Sequence, residues 1–302
     1  MSLNKADLIK WFEEGCKPKH LFRIGTEHEK FVYKLDTFKP VSYNEASGIK
    51  NILKSLTRFG WQEVNEEGNL IALKKDNQSI TLEPGGQLEL SGAPLENIHQ
   101  TCNEVNEHLK QVKSVGDELN VGFLGVGARI EGKLSSDLWM PKPRYKIMRN
   151  YMPQVGNLGL EMMADTCTVQ VNLDYSSEND MSRKLKTSFI LQPIVTALFA
   201  SSPIENMKSS EYISRRAAIW FDVDKNRCGT PDFIFNKNLG FESWVDYALN
   251  VPMYFIRRNG QYINCAGESF KKFMLGQLKS LPKEQPTILD WEDHISTIFT
   301  EV

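Results

Sequence analysis

Three short segments of the chain alternate polar and apolar residues, and each places oxygen-bearing side chains on one face of a strand. They are residues 23–31, 81–92 and 166–174. Successive side chains of a strand point to opposite faces, so Glu27 and Glu29 share a face in the first segment. The side chains that share a face in the other two segments are Gln87 and Glu89, and then Thr168, Gln170, Asn172 and Asp174.

Carboxylates on the buried face of a sheet are costly unless cations neutralise them. Carboxylate and amide oxygens are hard ligands, and they suit Mg²⁺. The residues therefore predict a Mg²⁺ site and an enzyme that acts on a Mg-nucleotide. Glu83 and Glu89 bracket Pro84-Gly85-Gly86, which predicts a bulge that re-aims the strand and lets the backbone approach a substrate closely.

Two of these patterns have ordinary alternatives. Glu27 and Glu29 taken alone are typical of the solvated face of an edge strand, and the second acidic strand favours the metal interpretation. Gln170 and Asn172 either hydrogen-bond to each other or complete a metal sphere, and both interpretations stay open. His28 has the opposite phase to the two glutamates and is expected to pack on the other face. His99 and His108 are expected at the surface or partly buried.

Basic residues lie close together at two places. Arg144, Lys146 and Arg149 form one cluster, which next to an acidic metal site could hold phosphates or substrate carboxylates. Arg215 and Arg216 are adjacent, and one of the two is expected to face the site. No Ser-His-Asp or Cys-His set is evident in the sequence.

Composition limits the classes of function. The 302 residues are 41% hydrophobic and 25% charged with a net charge of −2, which gives no basic surplus for nucleic acid. The first residues lack the apolar core of a signal peptide. Residues 189–200 are too short to span a bilayer and are predicted to form a buried helix. Five cysteines without a C-x-x-C pair fit the reducing cytoplasm, so a cytoplasmic protein with no membrane or nucleic-acid partner is expected.

Hydrophobic periodicity predicts an α+β fold, because strands and helices do not alternate as β-α-β units. A mainly antiparallel sheet with helices on one side is expected. The long helix is predicted to bury an apolar stripe that includes Ile98 and Leu109. Helices are predicted at residues 4–14, 47–59, 95–119, 144–152, 179–201, 241–249, 269–278 and 287–299, and strands at 21–34, 70–74, 79–90, 121–130, 166–175, 253–258 and 262–265.

The chain resembles glutamate–cysteine ligases of the plant and proteobacterial type. The resemblance covers essentially the whole chain and is most specific at residues 24–31, 82–96, 144–153, 166–174 and 251–255. It implies an antiparallel sheet curved into a glutamine synthetase-like funnel with helices packed on its outer side. It also implies a single catalytic domain over residues 1–302 that lacks the family's C-terminal segment.

The resemblance implies ligation of the glutamate γ-carboxylate to the amine of cysteine, the first step of glutathione synthesis, with Mg²⁺ and ATP. The partners expected from it are these small molecules, in a monomer or homodimer. Its implied metal ligands are Glu27, Glu29, Glu83, Glu89 and Gln170. Arg144, Arg216 and Tyr254 are implied to bind substrate, Arg216 also to act in catalysis, and Lys146 and Arg149 are the candidates for binding the nucleotide.

Two other functions stay open. The chain could be a carboxylate–amine ligase that uses a different amine, or an incomplete, non-catalytic fragment or partner subunit that binds glutamate or nucleotide. Related plant proteins pair cysteines as a redox switch, but the expected partner of Cys265 is Ser280, and the partner of Cys102 would lie past residue 302. No regulatory disulfide is therefore predicted within the chain.

Overall fold

The computed structural model of the chain describes residues 3–131 and 135–300. A seven-stranded antiparallel sheet carries the three acidic segments, in the order β2-β3-β4-β5-β1-β6, with β7 also paired to β1. β1 pairs with β5 along one edge, and with β7 and then β6 along the other. The strands are β1 (Ile24–Lys34), β2 (Gln62–Glu66), β3 (Asn69–Lys75), β4 (Gln78–Leu82), β5 (Leu88–Ser91), β6 (Val121–Leu124) and β7 (Val169–Leu173).

Helices and two short hairpins complete the described fold. The hairpins are formed by β8 (Ile204–Glu205) with β9 (Lys208–Ser209), and by β10 (Phe255–Arg258) with β11 (Gln261–Asn264). The helices are α1 (Lys5–Glu14), α2 (Ile49–Leu56), α3 (Ile98–Leu119), α4 (Pro143–Tyr151), α5 (Gly159–Asp165), α6 (Glu178–Leu198), α7 (Arg215–Trp220), α8 (Phe241–Asn250), α9 (Phe270–Met274) and α10 (Ile288–Ile295).

Local sequence explains where several helices begin. The Asn4 side chain accepts from the backbone N–H groups of Ala6 and Asp7, and Asp7 in turn accepts from the Asn4 N–H. Thr287 and Asp290 form the same reciprocal arrangement at the start of α10. Each arrangement satisfies backbone donors that the first helical turn leaves without an intrahelical partner.

One face of the sheet is apolar and the other is polar. Ile80 and Leu82 of β4 lie opposite Leu90 and Leu88 of β5, and all four are fully buried. They belong to the largest hydrophobic cluster of the described residues, which also takes in the apolar faces of α2 and α3. The alternate residues of the same strands point to the other face, where Glu89 lies. The hydrophobic core thus fixes which face the carboxylates occupy.

A second hydrophobic cluster joins the ends of the chain. Leu8 of α1, Val245 of α8 and Trp291 of α10 are fully buried in it. Phe189, Ile234 and Leu239 form a third, smaller cluster beside α6.

The predicted strand at residues 79–90 is wrong at its centre. Residues 83–87 form a turn that divides it into β4 and β5, and the two halves pair as a hairpin. The Glu83 N–H donates to the Gln87 carbonyl at 3.0 Å, and the Gly86 N–H donates to the Glu83 carbonyl at 2.9 Å. Gly86 has a φ of +82°, which glycine adopts without strain. A turn therefore replaces the predicted bulge.

The apolar stripe predicted for the long helix is also wrong in its first half. The helix begins at Ile98, which is 70% exposed, and Leu109 is 41% exposed. The buried face instead carries Thr101 and His108, because this part of α3 packs near the polar residues of β1. His108 is fully buried, contrary to the prediction, whereas His99 is exposed.

The apolar helix expected to be buried forms, but at the surface. Phe189 is only 6% exposed, whereas Leu198 and Phe199 are 73% and 76% exposed. The apolar residues of α6 that follow Phe189 are between 44% and 73% exposed, namely Ile190, Leu191, Ile194, Val195 and Leu198.

The remaining differences concern boundaries and short elements. β6 ends at Leu124 instead of reaching residue 130, and α9 and α10 are shorter than predicted. The sequence did not predict β2, α5 or α7. The antiparallel sheet with its helices confirms the α+β class. Within the described residues, no helix has the length and hydropathy needed to cross a membrane.

Candidate active site

Two glutamates face each other across the centre of the sheet. Glu29 of β1 lies directly opposite Glu89 of β5. Directly opposed residues of an antiparallel pair have their Cβ atoms about 4.5–5.5 Å apart and on one face. Glu83 lies in the turn that joins β4 to β5, and its charge acts on both of these carboxylates. The predicted convergence of acidic residues from two strands is thus present.

Burial and mutual repulsion raise the pKa values of Glu29 and Glu89. Burial contributes most, and the negative charge of Glu83 adds to it at both residues. Hydrogen bonds act in the opposite direction, since the Thr168 N–H donates to Glu29 Oε2 at 3.0 Å and the Ser91 hydroxyl donates to Glu89 Oε1. These two hydrogen bonds do not offset the repulsion between the carboxylates. A bound cation would relieve that repulsion.

The donor set fits Mg²⁺ held by a pair of carboxylates. In the described part of the chain, no three Asp, Glu, His or Cys residues lie close enough to hold a metal ion between them. Mg²⁺ in proteins commonly takes one or two carboxylates and completes its octahedron with water and phosphate oxygens. Glu29 and Glu89 would supply these two carboxylates, and a metal-ligand role for Glu29, Glu83 and Glu89 stays a prediction.

Amide groups hold Glu27 at the edge of this face. Gln170 of β7 lies opposite Glu27, and its Nε2 donates to Glu27 Oε1 at 3.1 Å. Asn172 Nδ2 donates to the same oxygen at 2.8 Å, and Gln170 Nε2 also donates to Asn172 Oδ1 at 3.0 Å. Of the two open interpretations, hydrogen bonding is the one seen here. A metal-ligand role for Glu27 and Gln170 stays a prediction.

Arg216 is the arginine of the adjacent pair that approaches the carboxylates. Burial lowers the pKa of its guanidinium, and the nearby Glu29 carboxylate opposes that shift. Its Nε is buried and has no hydrogen-bond partner among the described residues. The guanidinium lies 5.6 Å from the ring centroid of Trp220. Arg215 instead pairs with Glu205 at 3.0 Å. Arg216 is therefore placed with donors available beside Glu29.

The three basic residues of α4 do not share one environment. Arg144 is half-buried over the Tyr145 ring at 5.2 Å, and it is close enough to Glu83 for that carboxylate to raise its pKa. Lys146 and Arg149 are exposed, and Arg149 lies 4.6 Å above the Trp139 ring. Arg144 thus joins the acidic face, while nucleotide binding by Lys146 and Arg149 stays a prediction.

Tyr254 lies in the core. It is 1% exposed, its hydroxyl donates to the Met152 sulfur at 3.5 Å, and the Arg227 guanidinium lies 3.7 Å from its ring centroid. The structure does not bring it to the surface of the carboxylate face. Its expected contact with substrate stays a prediction.

Arg129 supports the turn that carries Glu83, and no pattern in the sequence pointed to this residue. Its Nε donates to Asp165 at 2.7 Å in a buried ion pair. Its other donors reach the carbonyl of Gly85 at 3.1 Å and that of Ala164 at 2.9 Å. The turn is thereby tied to the end of α5. These partners are distant in sequence, so only the folded chain identifies them.

Gln87 completes the same brace from inside the turn. Its Oε1 accepts from the Gly85 N–H at 2.9 Å, and its Nε2 donates to the Thr166 carbonyl at 2.8 Å. A Cβ at Gly85 would lie 2.3 Å from the Ala164 carbonyl oxygen. The close backbone approach predicted at this glycine is therefore made by the protein's own chain. The alternation of Gln87 with Glu89 was the signal in the sequence that pointed to this residue.

No disulfide joins any of the five cysteines, all of which lie in the described residues. Cys265 Sγ lies 3.1 Å from Ser280 Oγ, so a hydroxyl occupies the position expected for a partner thiol. Cys167 is buried behind Glu29, and burial raises the pKa of its thiol. A thiol of this kind is a poor nucleophile.

Comparison with known proteins identifies relatives along nearly the whole chain. The model of glutamate-cysteine ligase family 2 matches residues 23–302. Glutamate–cysteine ligase A, chloroplastic, of Oryza sativa subsp. japonica is 56% identical over 301 residues, which are 99% of this chain and 61% of the relative. The chloroplastic glutamate–cysteine ligase of Nicotiana tabacum is 54% identical over 300 residues, or 99% of this chain and 57% of the relative. The Arabidopsis thaliana protein is 53% identical over the same shares.

The relatives bear on the predicted location of the protein and on the share of the family's length that the chain spans. The names of these relatives place them in the chloroplast, which contradicts the prediction of a cytoplasmic protein. The chain spans 57% to 61% of the length of these relatives.

More than half of the residues are identical to those of these relatives over 99% of the chain, and the family model matches from residue 23 onwards. These two findings establish the family. The chain belongs to glutamate-cysteine ligase family 2.

Proposed function

We propose that the protein joins the γ-carboxylate of glutamate to the amine of cysteine, using ATP and Mg²⁺, in the first step of glutathione synthesis. The observation that carries this proposal is the opposed pair Glu29 and Glu89, with Arg216 beside the pair. The relatives named glutamate–cysteine ligase support the choice of substrates. We also propose that the sheet curves into a glutamine synthetase-like funnel, since β1 changes its partner strand between His28 and Phe31.

Glu29 and Glu89 are the residues that would hold Mg²⁺, with Glu83 close by. When bound, the ion supplies charge neutralisation for the phosphates of ATP during phosphoryl transfer. Glu29 and Glu89 would determine the position of the positive charge of the ion. Their raised pKa values indicate that two free negative charges are unfavourable at this place, and a bound cation would offset that cost.

The arginines hold the acidic reactants in line. A carboxylate resists attack by an amine until one of its oxygens becomes a good leaving group. Transfer of the γ-phosphoryl group of ATP to glutamate gives γ-glutamyl phosphate, the cysteine amine attacks its acyl carbon, and phosphate leaves. Arg216 and Arg144 flank the carboxylates and have donors suited to carboxylate or phosphate oxygens. Their contribution is to position the reacting groups.

No enzyme nucleophile is required by this route. The protein binds, orients and neutralises, and the reactive acyl group forms on the substrate. Burial keeps the Cys167 thiol protonated, and the charge of Glu29 acts in the same direction. Tyr254, Lys146 and Arg149 remain candidates for further substrate and nucleotide contacts.

The test is to incubate the protein with Mg²⁺, ATP and glutamate, with cysteine or with 2-aminobutyrate, and to measure phosphate release and the mass of the product. We expect release that requires both amino acids, together with γ-glutamylcysteine. Phosphate release with a different amine but not with cysteine would move the protein to another carboxylate–amine ligase. Binding of Mg-ATP without any turnover would instead favour a non-catalytic nucleotide-binding subunit.

A further inference from the structure

The carbonyl oxygen of Leu82 accepts hydrogen bonds from two side chains at once. Lys142 Nζ donates to it at 2.8 Å, and the Tyr145 hydroxyl donates at 2.6 Å. The two donors lie 3.4 Å from each other. Both residues are buried, with 7% of Lys142 exposed. Leu82 is the last residue of β4, so this contact is made directly before Glu83.

The other side of Glu83 is held from the same segment. The Met140 N–H donates to the Pro84 carbonyl at 2.9 Å, and the Lys142 N–H donates to the Met140 carbonyl at 2.8 Å. Residues 140–145 therefore bond to the backbone both before and after Glu83. The brace of Arg129 and Gln87 acts further along the turn, at Gly85.

Burial of the Lys142 ammonium group is unfavourable in free energy. Transfer of an ammonium group out of water is unfavourable unless charges or hydrogen bonds compensate it. Lys142 forms no ion pair with the described residues within salt-bridge distance, and the acids whose charges act on it include Glu83 and Glu89. Burial, and after it Arg144, lowers its pKa to about 8. A neutral side chain in this space would avoid that cost. The role of the ammonium is therefore sought in the groups that it contacts, the Leu82 carbonyl and the Tyr145 hydroxyl.

We propose that Lys142 is a positioning residue of the cation site, which acts with Tyr145 by fixing the Leu82 carbonyl and thereby holding Glu83 where its charge acts on Glu29 and Glu89. This inference rests on the proposed function in one respect, namely that the site takes a Mg²⁺-like cation. Two donors hold the carbonyl from different directions, which restricts rotation of the peptide that leads into Glu83.

A positioning role and a plain electrostatic role have opposite consequences. A positive charge beside a cation site repels the cation, so if Lys142 acted only as a charge, its removal would tighten cation binding. If Lys142 holds Glu83 in place, its removal weakens cation binding. The sign of the change therefore separates the two roles.

The experiment is to titrate the intact protein with Mn²⁺, as a paramagnetic substitute for Mg²⁺, and to count free Mn²⁺ by electron paramagnetic resonance. We expect Lys142→Met to weaken Mn²⁺ binding about tenfold, in the range found when a residue that orients a metal ligand is lost. We expect Tyr145→Phe, which removes only the hydroxyl donor, to weaken it in the same direction, and Lys142→Arg to restore part of the loss. Lys113→Met, at an exposed lysine of α3, is the matched control and should bind as the wild type does.

Mn²⁺ binding by Lys142→Met that equals or exceeds the wild-type affinity would overturn the inference. Thermal unfolding shows whether each variant is folded. If Lys142→Met does not fold, Tyr145→Phe decides, and wild-type affinity in that variant would overturn the inference. A wild-type protein that binds no Mn²⁺ would overturn the proposed cation site itself, and with it this inference.

Discussion

At the scale of single residues, the centre of the site is held in an unfavourable electrostatic state. Glu29 and Glu89 face each other, and burial and the charge of Glu83 raise the pKa of both. Binding sites commonly keep such unfavourable arrangements because the ligand relieves them. Stability and cation binding should therefore respond in opposite directions to the loss of one of these charges.

Replacing Glu29 by Gln tests this directly. The amide keeps an acceptor for the Thr168 N–H and removes the carboxyl group, whose pKa burial raises to about 9. We expect the free energy of unfolding in metal-free buffer to rise by about 1 kcal/mol, while Mn²⁺ binding is lost. Chemical denaturation measures the first quantity, with the exposed Glu14→Gln as the control. A variant less stable than the wild type would show that the carboxylate stabilises the fold.

A second residue-scale feature is a buried histidine in α10. His294 Nε2 lies 2.8 Å from the Ala248 carbonyl, and its ring stacks on Phe270 with a centroid distance of 5.0 Å. Burial lowers its pKa to about 4, and Arg227 acts in the same direction, while the bond to Ala248 opposes the shift. The folded protein thus holds this ring neutral at pH values where the unfolded chain protonates it.

The consequence is a loss of stability in acid. Because the folded-state pKa is depressed, the stabilisation is fully present above the unfolded-state pKa of about 6.5 and is lost as the pH falls toward about 4. We expect His294→Gln to reduce this loss by roughly 3 kcal/mol, measured by urea denaturation across that pH range. Identical pH profiles for the wild type and the variant would contradict the assignment.

At the scale of elements, the turn between β4 and β5 is the most constrained part of the site. Gly85 lies against the backbone of Ala164 so closely that a Cβ would be 2.3 Å from its carbonyl oxygen. Gly85→Ala should therefore force the turn away from α5, lower the free energy of unfolding by about 3 kcal/mol and weaken Mn²⁺ binding.

Gly125→Ala is the control for that substitution. A Cβ at Gly125 has the Glu29 carbonyl oxygen as its nearest neighbour at 4.0 Å, which is an ordinary contact. Its free energy of unfolding should change by less than about 0.5 kcal/mol. Equal effects of the two alanines would show that the contact with Ala164 does not restrain the turn.

The helix α6 allows a similar comparison along one element. Phe189 is 6% exposed and packs with Ile234 and Leu239, whereas Phe199, just after the helix, is 76% exposed. We expect Phe189→Ala to cost about 3 kcal/mol of unfolding free energy and Phe199→Ala less than about 0.5 kcal/mol. A large cost at Phe199 would show that its face is covered in solution.

The sheet was predictable from the sequence because a strand has a period of two. That period placed Glu27 and Glu29 on one face, and it placed His28 on the other, where its Nε2 contacts Thr26. It failed at residues 83–87, where a turn interrupts the alternation. The helical period likewise failed for the first half of α3, because a helix next to polar strand residues buries polar groups such as His108.

The same limit applies to the supports of the site. Lys142 contacts Leu82, which is 60 positions away, and Arg129 contacts Asp165, which is 36 positions away. The order of residues near each position in the sequence does not predict these contacts, because the topology of the whole sheet brings the partners together. The acidic residues of the site could be predicted from the sequence. The residues that support the turn around Glu83, Lys142 and Arg129, could not.

At the scale of the whole molecule, a buried arginine joins distant parts of the chain. Arg227 is fully buried, and its Nε donates to Asp224 Oδ2 at 2.8 Å. Its other nitrogens donate to the carbonyl oxygens of Thr297, at 3.0 Å, and Pro252. The segment after α10 is thereby fixed next to Tyr254.

Arg227→Met should lower the free energy of unfolding by about 4 kcal/mol, because it leaves Asp224 buried without its partner. Lys113→Met breaks the exposed pair with Asp117 and should change the same quantity by less than about 0.5 kcal/mol. Both values come from chemical denaturation. A loss of less than about 1 kcal/mol at Arg227 would mean that the pair does not hold the chain together.

We expect the carboxylate face to bind a nucleotide through a divalent cation. The most direct test is calorimetric titration of the protein with a non-hydrolysable ATP analogue, with Mg²⁺ and with EDTA, for the wild type and for the double variant Glu29→Gln and Glu89→Gln. We predict binding by the wild type that requires Mg²⁺ and is lost in the double variant. Equal binding in EDTA, or by the double variant, would contradict the claim.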